Sequence, residues 1–470
     1  MRPFALLMLL TLSAMPAAAA PIARVPTDTA GFVGLAAQGP LDQAVLVNSY
    51  AEFVTVFGAS TAGLANPYLA PSVAGYFANG GVRCAVVRVA AVDDPTIIGF
   101  DGGPGSRTGL QALLDVDEVS VVAIPGAATP AVQAAMIAHC TGAGDRMAIL
   151  DPVSAADDIG DILAQRAGLA TDDGFAALYF PWIEASPTGT TLILPPSGFV
   201  AGAYSAAEAA DSPVGVIATA TGVAYPVTTT EQDQLNPLGI NAIRNLSGIR
   251  IWGARTLAPG VEWRYVPVRR MALCIGESIR DGTAWCLAEP NEPATWFAVV
   301  SELEVFLQTL FLSGWFQGAT ADEAYFARCD LTTMTGLDLA EGRTVMLVGF
   351  APLTPAEFVV LRIVQQRADL SAVTDLRRGL PALHPASPNP FNPRTTIGFE
   401  LESAGRISLA VYDLSGRLVR TLLREWSPAG PRSLSWDGTG DSGQAVASGT
   451  YLLRLESSAG AASRKLMLVR

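Results

Sequence analysis

Histidine and lysine are nearly absent from this chain of 470 residues, which contains only His139, His384 and a single lysine, Lys465. Hydrolytic enzymes of the serine or cysteine type need a histidine beside the nucleophile, and most zinc sites need histidines or paired cysteines. Two isolated histidines provide neither arrangement. The sequence therefore predicts no catalytic residues, no metal, no cofactor and a protein that is not an enzyme.

Cysteine is also scarce and forms no Cys-x-x-Cys pair. Because five is an odd number, at least one thiol stays free or pairs between chains. Burial of the thiols as small apolar side chains is the favoured interpretation, and a bridge between Cys274 and Cys286 is the alternative. The five residues are Cys84, Cys140, Cys274, Cys286 and Cys329.

Charged residues make up only 16% of the chain, and the formal net charge is −13. Nucleic-acid binding needs a concentrated basic surface, so this composition predicts no nucleic-acid partner. Hydrophobic residues make up 50% of the chain. At this length they are sufficient for the cores of about three domains.

Three local patterns resemble chemical sites but are better explained by structure. The run 102–105 is rich in glycine, yet no helix with a lysine follows it, so it predicts a turn rather than a phosphate loop. The acidic run 115–118 precedes a predicted strand and is expected to be solvated rather than to act in acid-base catalysis. Asp437 and Asp441 predict an Asx turn, with a weak calcium site as the alternative.

The first twenty residues have the pattern of a secretory signal peptide. Arg2 precedes an apolar run at 4–12, and small residues follow up to Ala20. The apolar run is too short to cross a bilayer. We expect cleavage near residue 20 and export across the inner membrane, and we find no later run that predicts a transmembrane anchor.

The body of the chain predicts an α/β (α+β) fold with mixed sheets covered by helices. Residues 28–90 indicate strand, helix, helix and strand, with Ser49 as the cap of the first helix. Short apolar runs then alternate with helical patterns, as in a parallel or mixed sheet. These runs are 119–124, 147–150 and 176–179.

The region after residue 290 predicts a long helix followed by a strand pair. The helix begins at 291–293, and its apolar positions cover one broad face. Thr320 and Glu323 indicate a capping box on a short helix, and runs 344–349 and 357–364 indicate an antiparallel pair. The apolar helix positions are Trp296, Val299, Val300, Leu303, Phe306, Leu307, Leu310 and Phe311.

Residues 387–470 alternate apolar and polar side chains between glycine, aspartate and serine turns, which predicts an all-β Ig-like sandwich. Their motif residues are Pro390, Phe391, Asn392, Pro393, Tyr412, Asp413, Gly416, Trp436, Asp437, Gly438, Gly449 and Tyr451. This segment resembles the Ig-like modules related to the flagellar hook-capping protein, and especially the type A sorting domains of the type IX secretion system. The resemblance implies export through the periplasm to the cell surface or medium, with outer-membrane secretion machinery as a partner. A stalk or adhesion domain without a sorting role is the alternative.

Motifs over about 22–367 resemble the contractile phage tail sheath family. They include Val25-Pro26-Thr27-Asp28-Thr29-Ala30-Gly31, Trp252-Gly253-Ala254-Arg255-Thr256, Trp263-Arg264-Tyr265-Val266-Pro267-Val268-Arg269-Arg270 and Pro355-Ala356-Glu357-Phe358. The expected organisation is a signal peptide (1–20), an N-terminal and middle α/β region (21–235), a sheath C-terminal domain (236–368), a linker (369–386) and the Ig-like module (387–470).

The resemblance implies a structural protein that associates with copies of itself by strand exchange, and with a tail-tube-like protein as a further partner. In this family an N-terminal arm normally precedes the Val-Pro-Thr motif, whereas here the predicted signal peptide takes that position. A monomeric surface binding or display protein that has lost polymerisation is therefore the alternative. The candidate subunit-interface residues are Trp252, Arg255, Arg269, Arg270, Phe358, Val360 and Arg362.

Overall fold

The computed structural model describes residues 21–155, 157–169, 173–207, 209–211, 213–353, 359–366, 382–384, 386–401, 404–413, 417–457 and 460–469. The predicted signal peptide, Phe358, Gly416 and most of the predicted linker lie outside the described residues.

The N-terminal and middle region is built on short, mostly buried strands. Its strands are β1 (Thr29–Gly34), β2 (Ala44–Val47), β3 (Arg83–Arg88), β4 (Val119–Ala123), β5 (Met147–Leu150), β6 (Ala176–Phe180), β7 (Ile183–Ala185), β8 (Leu192–Leu194), β9 (Gly215–Val216), β10 (Ala220–Val223), β11 (Ile240–Asn245) and β12 (Ile249–Ile251).

Nine of these strands form one mixed sheet in the order β2-β3-β1-β4-β5-β6-β11-β12-β9. The run from β3 to β11 is parallel, and β2, β12 and β9 join antiparallel at the two sides. Central strands such as β6 are buried on both faces, which explains their continuous apolar sequence. This architecture confirms the predicted mixed α/β body. A second, small sheet has the order β10-β7-β8.

Helices cover the large sheet, and the predicted cap of the first one is present. The Ser49 side chain accepts a hydrogen bond from the Glu52 N–H at the start of α1, and Gly80 at φ 101° follows α2. Strand β2 was missed because its four residues are mostly half-buried and short. The helices are α1 (Tyr50–Phe57), α2 (Leu69–Ala78), α3 (Asp94–Ile98), α4 (Pro130–Ala143), α5 (Ile159–Ala167), α6 (Ser197–Ala206) and α7 (Thr229–Leu235), with 3₁₀ turns at Gly109–Asp115 and Asn236–Leu238.

The sheath-like C-terminal region has its own hydrophobic core, formed by long helices packed on a three-stranded sheet. The order of the strands in this sheet is β13-β14-β15. The elements are α8 (Val266–Gly282), a 3₁₀ turn (Ala284–Ala288), α9 (Pro293–Leu312), α10 (Ala321–Ala324), β13 (Tyr325–Arg328), α11 (Gly336–Ala340), β14 (Thr344–Phe350) and β15 (Val359–Gln365).

Helix α9 agrees with the predicted long helix, and most of its predicted apolar face is buried. By length and composition alone, α9 is also long and apolar enough to cross a membrane. This finding corrects the prediction that no run after the first twenty residues has these properties. Six of its residues are buried in the C-terminal core, as in the core helix of a folded domain. The predicted capping box before α10 is wrong: Thr320 makes no side-chain cap, and the Glu323 carboxylate accepts from the Ala319 N–H at 2.8 Å.

The C-terminal module is an all-β sandwich, as predicted. One sheet has the order β16-β17-β20 and the other β19-β18-β21-β22, with a separate core between them. The strands are β16 (Ala382–Leu383), β17 (Thr395–Leu401), β18 (Gly405–Asp413), β19 (Leu418–Ser427), β20 (Gly430–Trp436), β21 (Gly449–Ser457) and β22 (Gly460–Leu468).

All five cysteines are buried free thiols, so the bridge between Cys274 and Cys286 is not formed. Burial raises the pKa of the Cys286 thiol to about 11 and that of Cys329 to about 12. The thiols therefore contribute to packing as small apolar side chains.

Candidate assembly surface

The three-stranded sheet of the C-terminal region has two edges at which another strand could add. Strand β14 pairs antiparallel with β13 on one side and with all seven residues of β15 on the other. Within the described part of the chain, neither β13 nor β15 pairs with a second strand. An unpaired edge presents a row of N–H and C=O groups that can pair with another chain.

One face of β15 is fixed to helix α8. Ile363 and Val359 are buried in the C-terminal core, and Leu361 packs against it. At the strand end, the Gln365 side-chain amide donates to the Arg280 carbonyl at 2.6 Å and to the Thr283 hydroxyl at 3.0 Å. These contacts fix the position of β15 against α8. The outer edge of β15 therefore also has a defined position.

The opposite face of β15 carries Val360, Arg362 and Val364. The Arg362 side chain is partly buried, with 35% of its surface exposed, and lies 3.6 Å from Asp338, which also accepts a hydrogen bond from Arg343 at 2.8 Å. Burial opposes ionisation of Asp338, but hydrogen bonds from Thr335 and Arg343 outweigh it and hold the pKa of this carboxyl below its usual range. The face is thus partly covered by α11. The roles predicted for Val360 and Arg362 at a subunit interface stay predictions.

Trp252 lies at a corner of the body where β12 ends. Its backbone N–H donates to the Ala242 carbonyl at 2.8 Å, while its side chain is 51% exposed. Gly253 follows against Asn241, and a Cβ at this glycine would lie only 2.7 Å from the Asn241 side-chain oxygen. The backbone is therefore anchored, and the indole is available to a partner.

Arg255 has a structural position in the same motif. Its backbone N–H donates to the Asn241 Oδ1 at 2.7 Å, and its carbonyl accepts from the Asn241 Nδ2 at 2.7 Å. The guanidinium lies 5.7 Å from the centroid of the Tyr265 ring and donates to the Asn236 carbonyl at 3.2 Å. These bonds join β11 to the segment that leads into α8.

Arg269 and Arg270 were predicted at a subunit interface, whereas the structure buries both inside one chain, at 7% and 3% exposure. Arg270 donates to the Tyr204 carbonyl at 2.6 Å and lies over the Tyr204 ring. The guanidinium of Arg269 lies 3.8 Å from the Phe175 ring centroid and 4.4 Å from that of Trp263. These contacts join α8 to the large-sheet region, and the interface roles predicted for Arg269 and Arg270 stay predictions.

The segment before β1 lies along α8. The Val25 N–H donates to the Ser278 hydroxyl at 2.9 Å, and Ile22 packs against Gly282. Arg24 lies 5.1 Å from the centroid of the Trp315 ring. The motif that begins at Val25 is thus used within the chain, a contact that sequence reasoning did not predict.

The described motif residues of the Ig-like module are mainly structural. Trp436 lies between Phe391 and Tyr451, with ring centroids 5.4 and 5.5 Å away, and its indole N–H donates to the Thr439 carbonyl. Asp437 accepts from the Thr439 N–H at 3.2 Å, as the predicted Asx turn requires. Trp436, Phe391 and Tyr451 are thus buried in the core of the sandwich, and Asp437 stabilises the turn that follows β20.

Two buried titratable groups in the body were not singled out from the sequence. Asp151, after β5, accepts from the Ser197 N–H at 2.8 Å, the Ser197 hydroxyl at 2.7 Å and the Gly126 N–H at 3.2 Å. Burial raises the pKa of Asp151 to about 7. His139 is also buried, and desolvation followed by the charge of Arg146 lowers its pKa to about 4. Because both side chains are buried within the body, we interpret them as structural residues.

The other local patterns also have structural explanations. The run 102–105 forms a turn in which Asp101 accepts from the Gly103 N–H, and Asp115 pairs with Arg107 at 2.5 Å. Among the described residues, no group of three or more histidine, cysteine or acidic side chains could hold a metal ion.

The described residues thus form a mixed α/β body, a C-terminal three-stranded sheet with helices packed on it, and an Ig-like sandwich. Residues 102–257 match the family model of the phage tail sheath protein central domain, and residues 389–461 match that of the FlgD Ig-like domain. The body of this chain is thus similar to phage tail sheath proteins, and a FlgD Ig-like domain is found in its C-terminal module.

A putative prophage major tail sheath protein of Pseudomonas aeruginosa (strain UCBPP-PA14) is 28% identical over 320 residues, which are 62% of this chain and 78% of the relative. The sheath of the PVC extracellular contractile injection system, solved in the contracted state, is 25% identical with a TM-score of 0.60, and 78% of this chain matches 99% of it. The contracted helical sheath of the anti-feeding prophage is 26% identical with a TM-score of 0.61, and 76% of this chain matches 99% of it. The chain is thus homologous to contractile injection system and prophage sheath proteins.

Proposed function

We propose that this chain is an exported, sheath-type structural subunit that associates with copies of itself by strand addition at the edges of β13 and β15. The observation that carries the proposal is that, among the described residues, no further strand pairs with the outer side of β13 or of β15, in a body homologous to sheath subunits. Main-chain hydrogen bonds at such edges provide affinity without a ligand pocket.

The module and the first twenty residues are proposed to direct export. The N-terminal pattern is that of a signal peptide. The module has its own hydrophobic core, as expected for a sorting domain that folds independently. The proposed partners are further copies of the chain, a tube-like protein and outer-membrane secretion machinery.

Light scattering on the chain without residues 1–20 tests self-association. Particles much larger than one chain, visible as tubes or rings by negative-stain microscopy, are expected. A monomer at all concentrations would instead favour the monomeric display protein.

The substitution Trp252→Ala tests whether the exposed indole takes part. It should reduce the size of the particles while leaving the melting temperature unchanged, because the side chain is half exposed. Trp426→Ala is the matched control, since Trp426 is 63% exposed on the Ig-like module. Equal assembly by both variants would remove Trp252 from the interface.

A further inference from the structure

The β13-β14-β15 sheet, called here the sheath sheet, has an outer face that points away from α8. This face lies opposite the outer face of the β19-β18-β21-β22 sheet of the Ig-like module. Residues of both line a partly open cavity of about 40 Å³. This volume is sufficient for a single water and far too small for an organic ligand. The body contributes Phe326, Arg328, Thr332, Leu347 and Val360, and the module contributes Tyr412, Leu452, Arg454 and Ser463.

The strands of the module show why this contact is possible. In β21, Tyr451, Leu453 and Leu455 are buried in the sandwich core, and the residues between them point to the other face. A free-standing sandwich would expose that second face to water. Here Leu452 is only half exposed, and the Arg454 side chain is 11% exposed and pairs with Glu456 at 2.9 Å.

Charges of the two units also lie near one another. The pKa of Arg362 on β15 is lowered chiefly by burial, and the module's Arg454 contributes to this while Glu456 opposes it. The pKa of Tyr412 is raised chiefly by burial, and the body's Arg328 opposes it. An apolar centre with a charged rim is the usual composition of a protein interface.

We propose that the outer face of the β13-β14-β15 sheet is a docking surface whose occupant is the Ig-like module of the same chain. The contact joins Leu347 and Val360 of the sheet to Tyr412 and Leu452 of the module. Sheet-on-sheet packing of this kind covers the face of a sheet and not the edges of β13 and β15. The docked module therefore closes this sheet to face-on contacts and directs a neighbouring subunit to its edges. Only this last consequence rests on the proposed self-association.

A cysteine introduced at Leu347 reports on the contact, because all five native thiols are buried. The rate of maleimide labelling is measured in the full chain carrying Leu347→Cys, with and without Leu452→Glu. The charged substitution should expose the probe and raise the labelling rate at least about tenfold. Thr332→Cys provides a second probe, in case the first substitution itself weakens the contact.

Met467→Glu is the matched control. Met467 pairs with Thr450, so it lies on the same face of the same sheet as Leu452, but it is already 39% exposed and does not line the cavity. It should leave the labelling rate unchanged. Thermal unfolding of each variant verifies that the module is folded.

Two results would overturn the proposal. Fast labelling of both probes in the chain without Leu452→Glu would mean that the module is not docked. Protection that is lost on dilution would mean that the module belongs to a neighbouring copy rather than to the same chain. Neither result depends on whether the edges of the sheet support assembly, so failure of this proposal is distinguishable from failure of the proposed function.

Discussion

Asp151 and His139 should give the body two opposing pH dependences of stability, and removing either should reveal the other. The unfolded chain releases the Asp151 proton near pH 4, whereas the folded chain holds it until about pH 7. The folded state therefore binds more protons between these values, and the free energy of unfolding falls as pH rises through the window. A difference of about 3 pKa units corresponds to a loss on the order of 4 kcal/mol.

His139 acts in the opposite direction. Its pKa is about 4 in the folded chain, where burial, Arg146 and Arg107 disfavour the charge and Asp145 and Asp101 favour it. The unfolded chain takes up this proton near pH 6.5, so it binds more protons between pH 4 and 6.5. The free energy of unfolding then rises with pH across that window, by a total on the order of 3 kcal/mol. In the native chain the two slopes should largely cancel.

Urea unfolding between pH 4 and 7 of the native chain, Asp151→Asn and His139→Gln measures these slopes. Asp151→Asn should gain stability as pH rises, and His139→Gln should lose it. The asparagine leaves the Gly126 N–H opposite an amide nitrogen, at a cost of about 1–3 kcal/mol, but this cost does not depend on pH. Identical slopes for the native chain and Asp151→Asn would refute the reasoning.

Three further predictions concern the sheath region and the module. Gly253→Ala should lower the free energy of unfolding by about 1–3 kcal/mol because its Cβ would collide with Asn241, whereas Gly260→Ala, with open space, should change little in the same urea titration. Val360→Pro should remove a backbone N–H from β15, at a cost of about 3 kcal/mol or more if the value for a helix interior applies, and should abolish assembly. A variant that keeps both its particle size and its melting temperature would contradict the placement of β15 in the inter-subunit sheet. Deleting 387–470 should leave the body folded but retained in the periplasm, because the two regions have separate cores, and normal amounts of truncated protein in the medium would argue against a sorting role.

Local sequence patterns by themselves determined the types and approximate bounds of many elements. The Ser49 cap, the apolar face of α9 and the strand pair β14-β15 depend on neighbours only a few residues away, and such short-range periodicity is visible in a sequence. The alternation of apolar runs with helical patterns likewise predicted the mixed α/β body, and period-two patterning predicted the Ig-like sandwich. Strand β2 was missed because a short edge strand carries little pattern of its own.

Only the tertiary structure decided what the charged and aromatic residues of those motifs do. Arg269 and Arg270 look like surface cations in the sequence, but residues up to 94 positions away enclose them: Phe175 and Trp263 around Arg269, and Tyr204 beside Arg270. Asp151 and Ser197 meet only because the sheet and α6 bring them together. The contact between Leu452 and the sheath sheet also joins two regions with unrelated patterns. Burial and partner identity are properties of packing between distant segments, and a linear pattern contains no direct record of them.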